Sequence, residues 1–295
     1  MRSTAATSVV PRARATDYVA LAKPRLNLLV VATAAAGYAM ANGDTTNVPA
    51  LAGTIIGTGL VAGGASALNQ IIEREPDGLM RRTRSRPLPD GRVGTSEAVM
   101  LAGVLSAAGL LILAVGVNLL SAVVALATLT SYAAVYTPLK RRTSFATVIG
   151  AIPGALPAVI GWAAATGSLT RGAWVLFAIV FLWQLPHFLA IAWMYRDDYA
   201  RAGFLMLPVI EPDGRSTGRQ AVVYTAALLP VALAPTLLGM SGVIYFAGAL
   251  VLTLFFLGMS VKFAATRAVR DARRLFFTSI TYLPILWILM IADRT

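Results

Sequence analysis

Apolar runs of about 18 residues or more recur along the whole length of this 295-residue chain. Each is long enough to cross a hydrocarbon core of ~30 Å. A soluble core could not hide so many such runs, so the bilayer is the solvent. The runs predict nine transmembrane helices, over 24–41, 49–72, 96–116, 119–136, 144–165, 172–195, 220–238, 242–262 and 276–292. Tyr18 to Ala22 extend the first at the interface. Gly and Pro inside the runs are tolerated, because neighbouring helices satisfy the backbone groups they free. Only 13% of residues are charged, about half the ~25% of a soluble domain. Short loops leave no room for a separate soluble domain. The expected organisation is a cytoplasmic N-terminal tail over 1–17 and a single all-α membrane domain over 18–295. The tail has Arg2, Arg12 and Arg14 but no short apolar run with a small-residue cleavage site, so it does not read as a signal peptide.

The formal charge is +12, from 25 Lys and Arg against 13 Asp and Glu. In a membrane chain this excess reads as topology signal and attraction to anionic membrane lipid, and it does not require nucleic acid. With nine spans, 23 of the 25 basic residues fall on the side of the N-terminus. Only Arg171 and Arg294 fall on the other. The positive-inside rule therefore makes the N-terminus and all the long loops cytoplasmic. There is no cysteine, which excludes disulfides, thiolate catalysis and cysteine-ligated metal.

The carboxylates concentrate at two places on that same side. Glu73, Glu75 and Asp77 come after the second span, and Asp197 and Asp198 after the sixth. The two sets are four spans apart, the layout of a four-helix unit used twice. Asn69, Glu73 and Asp77 are spaced i, i+4, i+8, which places them on one helix face. Pro76 works against a continuous helix there. Oxygen ligands without Cys suit a hard cation such as Mg²⁺, which binds through one or two carboxylates plus substrate phosphates. Arg81, Arg82, Arg84 and Arg86 come after the first set, and Lys140, Arg141 and Arg142 after the fourth span. Acids and arginines together suit a metal-bridged diphosphate on a lipid tail. Arginines placed for topology alone are the competing explanation. Asp90, Glu97, Glu211, Asp213 and Asp271 read as solvated loop residues.

The only histidine, His187, lies inside the sixth span in Trp183-Gln184-Leu185-Pro186-His187-Phe188. An ionisable residue within a span points to function. Its chemistry allows contact with a heme edge, iron ligation or proton acceptance. A neutral imidazole bonded between helices is the alternative.

With these residues the chain resembles the UbiA-type membrane prenyltransferases, and within them the protoheme IX farnesyltransferase family. The resemblance runs almost end to end. It is carried by Lys23-Pro24-Arg25, Asn69-Gln70-Ile71-Ile72-Glu73-Arg74-Glu75-Pro76-Asp77, Met80-Arg81-Arg82-Thr83 and Arg86-Pro87-Leu88-Pro89. Tyr136-Thr137-Pro138-Leu139-Lys140-Arg141, the Pro186-His187-Phe188 block, Asp197-Asp198-Tyr199 and Met206-Leu207-Pro208-Val209 continue it. The resemblance implies a nine-helix prenyltransferase fold in the cell inner membrane. It implies Mg²⁺-dependent transfer of farnesyl from farnesyl diphosphate to a vinyl of heme B, giving heme O for terminal oxidases. It implies roles for Asn69, Glu73 and Asp77 in the first metal-diphosphate motif and for Asp198, with Asp197, in the second. Arg82, Arg86, Lys140 and Arg141 fall to the diphosphate and His187 to the heme side. The resemblance also implies heme A synthase or oxidase assembly factors as partners. Glu73 stands where much of the superfamily has Asp, and the second motif is not two aspartates spaced by three residues. A quinone-precursor or chlorin acceptor is the near rival. A secondary transporter is the remote one, disfavoured because the acids sit at span ends and not at the midplane.

Overall fold

The computed structural model describes residues 13–41 and 47–295. It is helical throughout, and among the described residues the one β contact is an isolated bridge between Ser241 and Arg294. In chain order the helices are α1 (Ala15–Ala22), α2 (Pro24–Ala41), α3 (Val48–Ile72), α4 (Arg74–Leu79), α5 (Thr95–Gly116) and α6 (Leu119–Thr130). A π-helical stretch (Ser131–Tyr136) joins α6 to α7 (Thr137–Leu139). Then come α8 (Ala146–Thr166), α9 (Arg171–Met194), α10 (Arg196–Arg201), α11 (Leu207–Ile210), α12 (Arg215–Leu237), α13 (Val243–Thr266) and α14 (Val269–Ala292).

Among the described residues eight helices are long and apolar enough to span a bilayer, and the α1–α2 pair, bent by 42°, is a ninth if taken as one span. The sequence expectation of about nine spans therefore holds. Lys23 makes the bend. It precedes Pro24, whose ring disfavours ordinary helix at the residue before it, and it takes a left-handed conformation with φ 47°. Of the tail expected over 1–17, residues 1–12 lie outside the described residues, while Ala15 to Asp17 already belong to α1. Helices α12 and α14 begin at Arg215 and Val269, before the apolar runs expected at 220 and 276. Those first turns are basic, so hydropathy does not register them.

Helices α8 and α9 form the centre: 67% and 56% of their most apolar windows are buried, against 28% for α5, α12 and α13. The outer helices turn Val115, Leu119, Leu237, Val243 and Val251 outward, an apolar surface that only lipid covers without penalty. With lipid outside, helices adhere through close approach and polar contacts more than through the hydrophobic effect. Asn118 caps α6 with its side-chain oxygen on Ser121 N–H (2.9 Å) and donates to the Ala163 carbonyl at the end of α8 (2.9 Å). Thr253 meets the Tyr282 hydroxyl at 2.9 Å, tying α13 to α14. Helices α2 and α8 cross at Gly37 and Gly161, where a Cβ on Gly161 would overlap the Ala34 carbonyl oxygen and one on Gly37 the Ala158 carbonyl oxygen.

Those obstacles are backbone and cannot rotate away. Gly161→Ala is therefore expected to cost roughly 3 kcal/mol, the upper range for overpacking a tight core. Thermal unfolding of detergent-solubilised protein measures this, and an unchanged midpoint would contradict the close crossing.

Candidate active site

The acid-bearing ends of α3 and α9 are built alike. Helix α3 breaks at Glu73 (φ −96°, ψ 15°) and α9 at Tyr195 (φ −116°, ψ 22°), and each break leads into a six-residue helix opening on an arginine. Pro76 explains the first break. It lacks an N–H, so it is tolerated in the first turn of a new helix but not inside a continuing one. The break does not lose the helical register. Glu73 N–H donates to the Asn69 carbonyl (2.9 Å) and Asp77 N–H to the Glu73 carbonyl (2.7 Å). Asn69, Glu73 and Asp77 thus succeed one another by single turns, and all three are buried.

Residues 80–93 form a folded cap. Leu88 and Val93 bury against Leu21 of α1, Ala67 of α3 and Ala98 and Ala102 of α5. Met80 buries with Ala192, Ala202, Phe204 and Met206, so one apolar cluster holds this segment against the α9–α11 region. Thr83 Oγ1 donates to the Asp77 carbonyl (2.8 Å), and Arg86 pairs with Asp77 Oδ2 (2.6 Å). From the other side, Asp198 accepts from the Arg81 and Arg82 backbone N–H groups (3.3 and 3.4 Å) and pairs with Arg201. The two acidic segments therefore meet on one loop. A third strand of chain joins them, because Leu205 N–H donates to the Lys140 carbonyl (2.9 Å).

Lys140 pairs with Glu73 at 2.8 Å, both side chains nearly enclosed (12% and 8% exposed). Its ammonium lies 4.5 Å from the centre of the Tyr136 ring. Burial works to lower the Lys140 pKa, but Tyr136 and the Glu73 carboxylate oppose it, and the net direction is upward. The ammonium therefore stays charged at physiological pH. The π-helical stretch presents Tyr132 and Tyr136, and Thr137 just after it receives the Asn69 side-chain amide (3.4 Å). Tyr136 lies flat on α8 at Gly150, where any Cβ would overlap its ring. Lys23 reaches Asn69 Oδ1 at 3.5 Å. A cavity of about 310 Å³ opens beside this network, lined by Asp17, Lys23, Gln70, Arg86 and Arg92 among others.

The residues singled out in the sequence do not all converge. Asn69, Glu73, Asp77, Asp198, Arg86 and Lys140 share the network above. Arg82 is exposed, with its guanidinium 5.2 Å from the Tyr195 ring centre. Arg141 is exposed, and Asp197 is 86% exposed with only a 3.9 Å contact to Arg196. Neighbouring residues on a short helix point about 100° apart, so Asp198 faces inward and Asp197 outward. Asp271 corrects an expectation. It is buried, accepting from Thr266 (2.9 Å) and Arg274 (3.1 Å), and is not a solvated loop residue. Lys23, Thr83, Tyr132, Tyr136 and the buried Asp17–Arg92 pair were not singled out for this site by sequence reasoning. Lys23, Thr83 and Tyr136 lie in motifs that carry the resemblance, whereas Tyr132, Asp17 and Arg92 had no such signal.

The donor chemistry fits a hard divalent cation. Asp77 Oδ1 is buried and has no hydrogen-bond partner among the described residues. Asn69 Oδ1 and Glu73 lie on the turns just before it. Among the described residues no three Asp, Glu, His or Cys side chains converge as a protein-only cage.

His187 is sandwiched deeper in the bundle. Trp183 stacks on one side (5.4 Å, 22°) and Phe276 on the other (5.0 Å, 26°). Its Nδ1 lies 2.7 Å from Ser279 Oγ. The serine proton goes to the Phe276 carbonyl (2.6 Å), so the hydroxyl accepts from Nδ1–H. Nε2 therefore carries the free lone pair. Phe188 packs edge-on against the same ring (5.4 Å, 69°), so aromatic side chains surround the imidazole.

The UbiA prenyltransferase family model matches residues 30–281. A protoheme IX farnesyltransferase of Solibacter usitatus is 52% identical over 94% of this chain and 98% of its own length. Among solved structures, a digeranylgeranylglyceryl phosphate synthase superposes with a TM-score of 0.78 at 15% identity, over 94% of this chain and 97% of that one. A UbiA homolog from Archaeoglobus fulgidus bound to GPP and Mg²⁺ superposes with a TM-score of 0.68 at 15% identity, over 94% and 99%.

Removing one partner of a buried ion pair strands the other charge. Lys140→Met is expected to cost about 3 kcal/mol, and Lys140→Met with Glu73→Gln distinctly less, about 1 kcal/mol. Unfolding of both variants without substrate tests this, and a larger loss in the double variant would mean that the pair shields nothing.

Proposed function

This chain belongs to the UbiA prenyltransferase family, in its protoheme IX farnesyltransferase branch, and on that premise we propose that it transfers the farnesyl group of farnesyl diphosphate to a vinyl group of protoheme IX, with water, giving heme O and diphosphate. It is a multi-pass membrane protein. The observation that carries this reading is the meeting of two acid-bearing helix breaks, α3–α4 and α9–α10, on one arginine-rich loop. The excess of basic residues on that side supports a cytoplasmic site in the cell inner membrane.

The C1–O bond of farnesyl diphosphate breaks with both electrons leaving on the diphosphate. Lys140, Arg86 and Lys23 converge from three segments and offset that charge as it grows. Asn69, Glu73, the open oxygen of Asp77 and Asp198 would hold Mg²⁺, which when bound supplies Lewis-acid stabilisation of the leaving oxygens. The vinyl electrons form the new C–C bond to farnesyl C1. Water adds to the adjacent carbon and loses a proton, which leaves the hydroxyl of the product. Apolar helix faces exclude bulk water until that step. His187 serves the porphyrin through its free Nε2 edge.

Purified protein supplied with protoheme, farnesyl diphosphate and Mg²⁺ should yield a product of the mass of heme O, and chelation of the metal should stop it. Failure to convert protoheme, with turnover on another acceptor, would overturn the assignment. Asn69→Ala and Asp198→Ala should each slow transfer roughly 100-fold or more, the scale for losing a charge-stabilising contact, while the protein stays folded in the membrane. His187→Ala should leave farnesyl diphosphate binding intact and weaken protoheme use. Near-wild-type turnover in any of the three would remove that residue from the site.

A further inference from the structure

We infer that Asn27 and Gln70 are positioning residues for Lys23: their side-chain amides lock the bend between α1 and α2 in the backbone conformation that aims the Lys23 ammonium into the diphosphate site. The inference rests on that site taking farnesyl diphosphate, as proposed above. It starts from the carbonyls at the end of α1. In an unbroken helix each carbonyl receives the N–H four residues on. Pro24 has no N–H to give. Past it the chain turns away: Leu26 N–H, the helical partner of the Ala22 carbonyl, goes to the Lys23 carbonyl instead (3.0 Å).

Two side-chain amides stand in for the missing donors. Gln70 Nε2 donates to the Leu21 carbonyl (2.8 Å) and Asn27 Nδ2 to the Ala22 carbonyl (2.7 Å). Both amides are braced on one residue of α3. Gln70 Nε2 also reaches the Ser66 carbonyl (3.2 Å), and Asn27 Nδ2 lies 3.3 Å from Ser66 Oγ. Ser66 and Gln70 are buried. Asn69 lies three residues beyond Ser66, on the same side of the helix. One turn of α3 therefore grips the last two carbonyls of α1 and presents Asn69 to the site.

Lys23 sits between those gripped carbonyls and Pro24, left-handed at φ 47° and ψ 54°. A side chain with a Cβ adopts that conformation only at a cost in free energy, and it persists where the surroundings over-determine it. A residue before proline otherwise relaxes to an extended backbone. That change would turn the Cα–Cβ bond of Lys23 and swing its ammonium away from Asn69 Oδ1, which it meets at 3.5 Å. An amide nitrogen has two hydrogens, and those of Asn27 and Gln70 are both taken up within the protein. The two amides therefore act on the diphosphate through Lys23.

The test is a pair of double-variant cycles. They are read by the calorimetric Kd for farnesyl diphosphate with Mg²⁺ and no acceptor, and by turnover with protoheme. Asn27→Leu and Gln70→Met keep the side-chain size and lose the amide, and Lys23→Met removes the ammonium. Lys23→Met should weaken farnesyl diphosphate binding roughly tenfold or more, the scale for a charge-assisted contact. Asn27→Leu and Gln70→Met should each weaken it roughly fivefold, as for one hydrogen bond, and slow turnover while leaving the KM for protoheme unchanged. Added to Lys23→Met, neither should weaken binding further, because a positioning residue has no effect once the group it positions is gone. Asn27→Gln, which keeps the donor, should recover part of the loss. If Gln70→Met does not fold, the half-buried Asn27 decides the test alone. Losses that multiply in the double variants, or wild-type affinity in Lys23→Met or in both amide variants, would overturn the inference and leave the proposed reaction standing. Wild type that binds no farnesyl diphosphate would overturn that reaction, and this inference with it.

Discussion

Four carboxylates are buried around the two helix breaks and the loop between them, and each must be neutralised where it lies. An ionised carboxylate taken out of water costs several kcal/mol unless it is paired and hydrogen-bonded. Glu73 has Lys140, Asp77 has Arg86, Asp17 has Arg92, and Asp198 has Arg201 and two backbone N–H groups. In the first three pairs acid and base come from different segments of chain. Satisfying them therefore folds the loops. Arg86 and Arg92 lie on the same connection, so pairing them pins it both to α4 and to α1. A segment that composition would class as a basic surface loop becomes a lid with Leu88 and Val93 in its interior.

The same charge placement makes two ordinary membrane helices into halves of one site. The breaks after α3 and α9 have closely similar backbone angles, although the residues around them share little beyond an arginine in the next position. What repeats is the shape: a span that stops short, a turn, and six residues laid across the top. The acids are not repeated at equivalent positions. On one side they project from successive turns running through the break, and on the other a single aspartate reaches across to the opposing loop.

The spans were legible because hydrophobic length and the placement of Lys and Arg are strong, independent signals. Asn69, Glu73 and Asp77 were legible as a set because their spacing survives the break at Glu73. Charge and spacing did not separate Asp197 from Asp198, although the resemblance favoured Asp198; adjacent residues part only when the short helix takes its orientation. Asp271 looks solvated by position, and Asp17 falls at the end of the expected tail. Their burial depends on Arg92, Thr266 and Arg274, contacts that only the tertiary structure creates. The bend at Lys23 had a local cue in the adjoining proline, but its reach to Asn69 had none.

The π-helical stretch between α6 and α7 has a consequence for how such a protein changes over time. A π turn is what a helix makes when it accepts one more residue without moving its two ends. The side-chain register beyond the turn is thereby offset by about 100° for each added residue. The lipid- and core-facing residues of α6 therefore keep their own packing pattern, while Thr137 and Lys140 are aimed on a separate register. One span serves two masters, with the bilayer governing one half and the chemistry the other. Drift in the hydrophobic half leaves the orientation of the reactive half untouched.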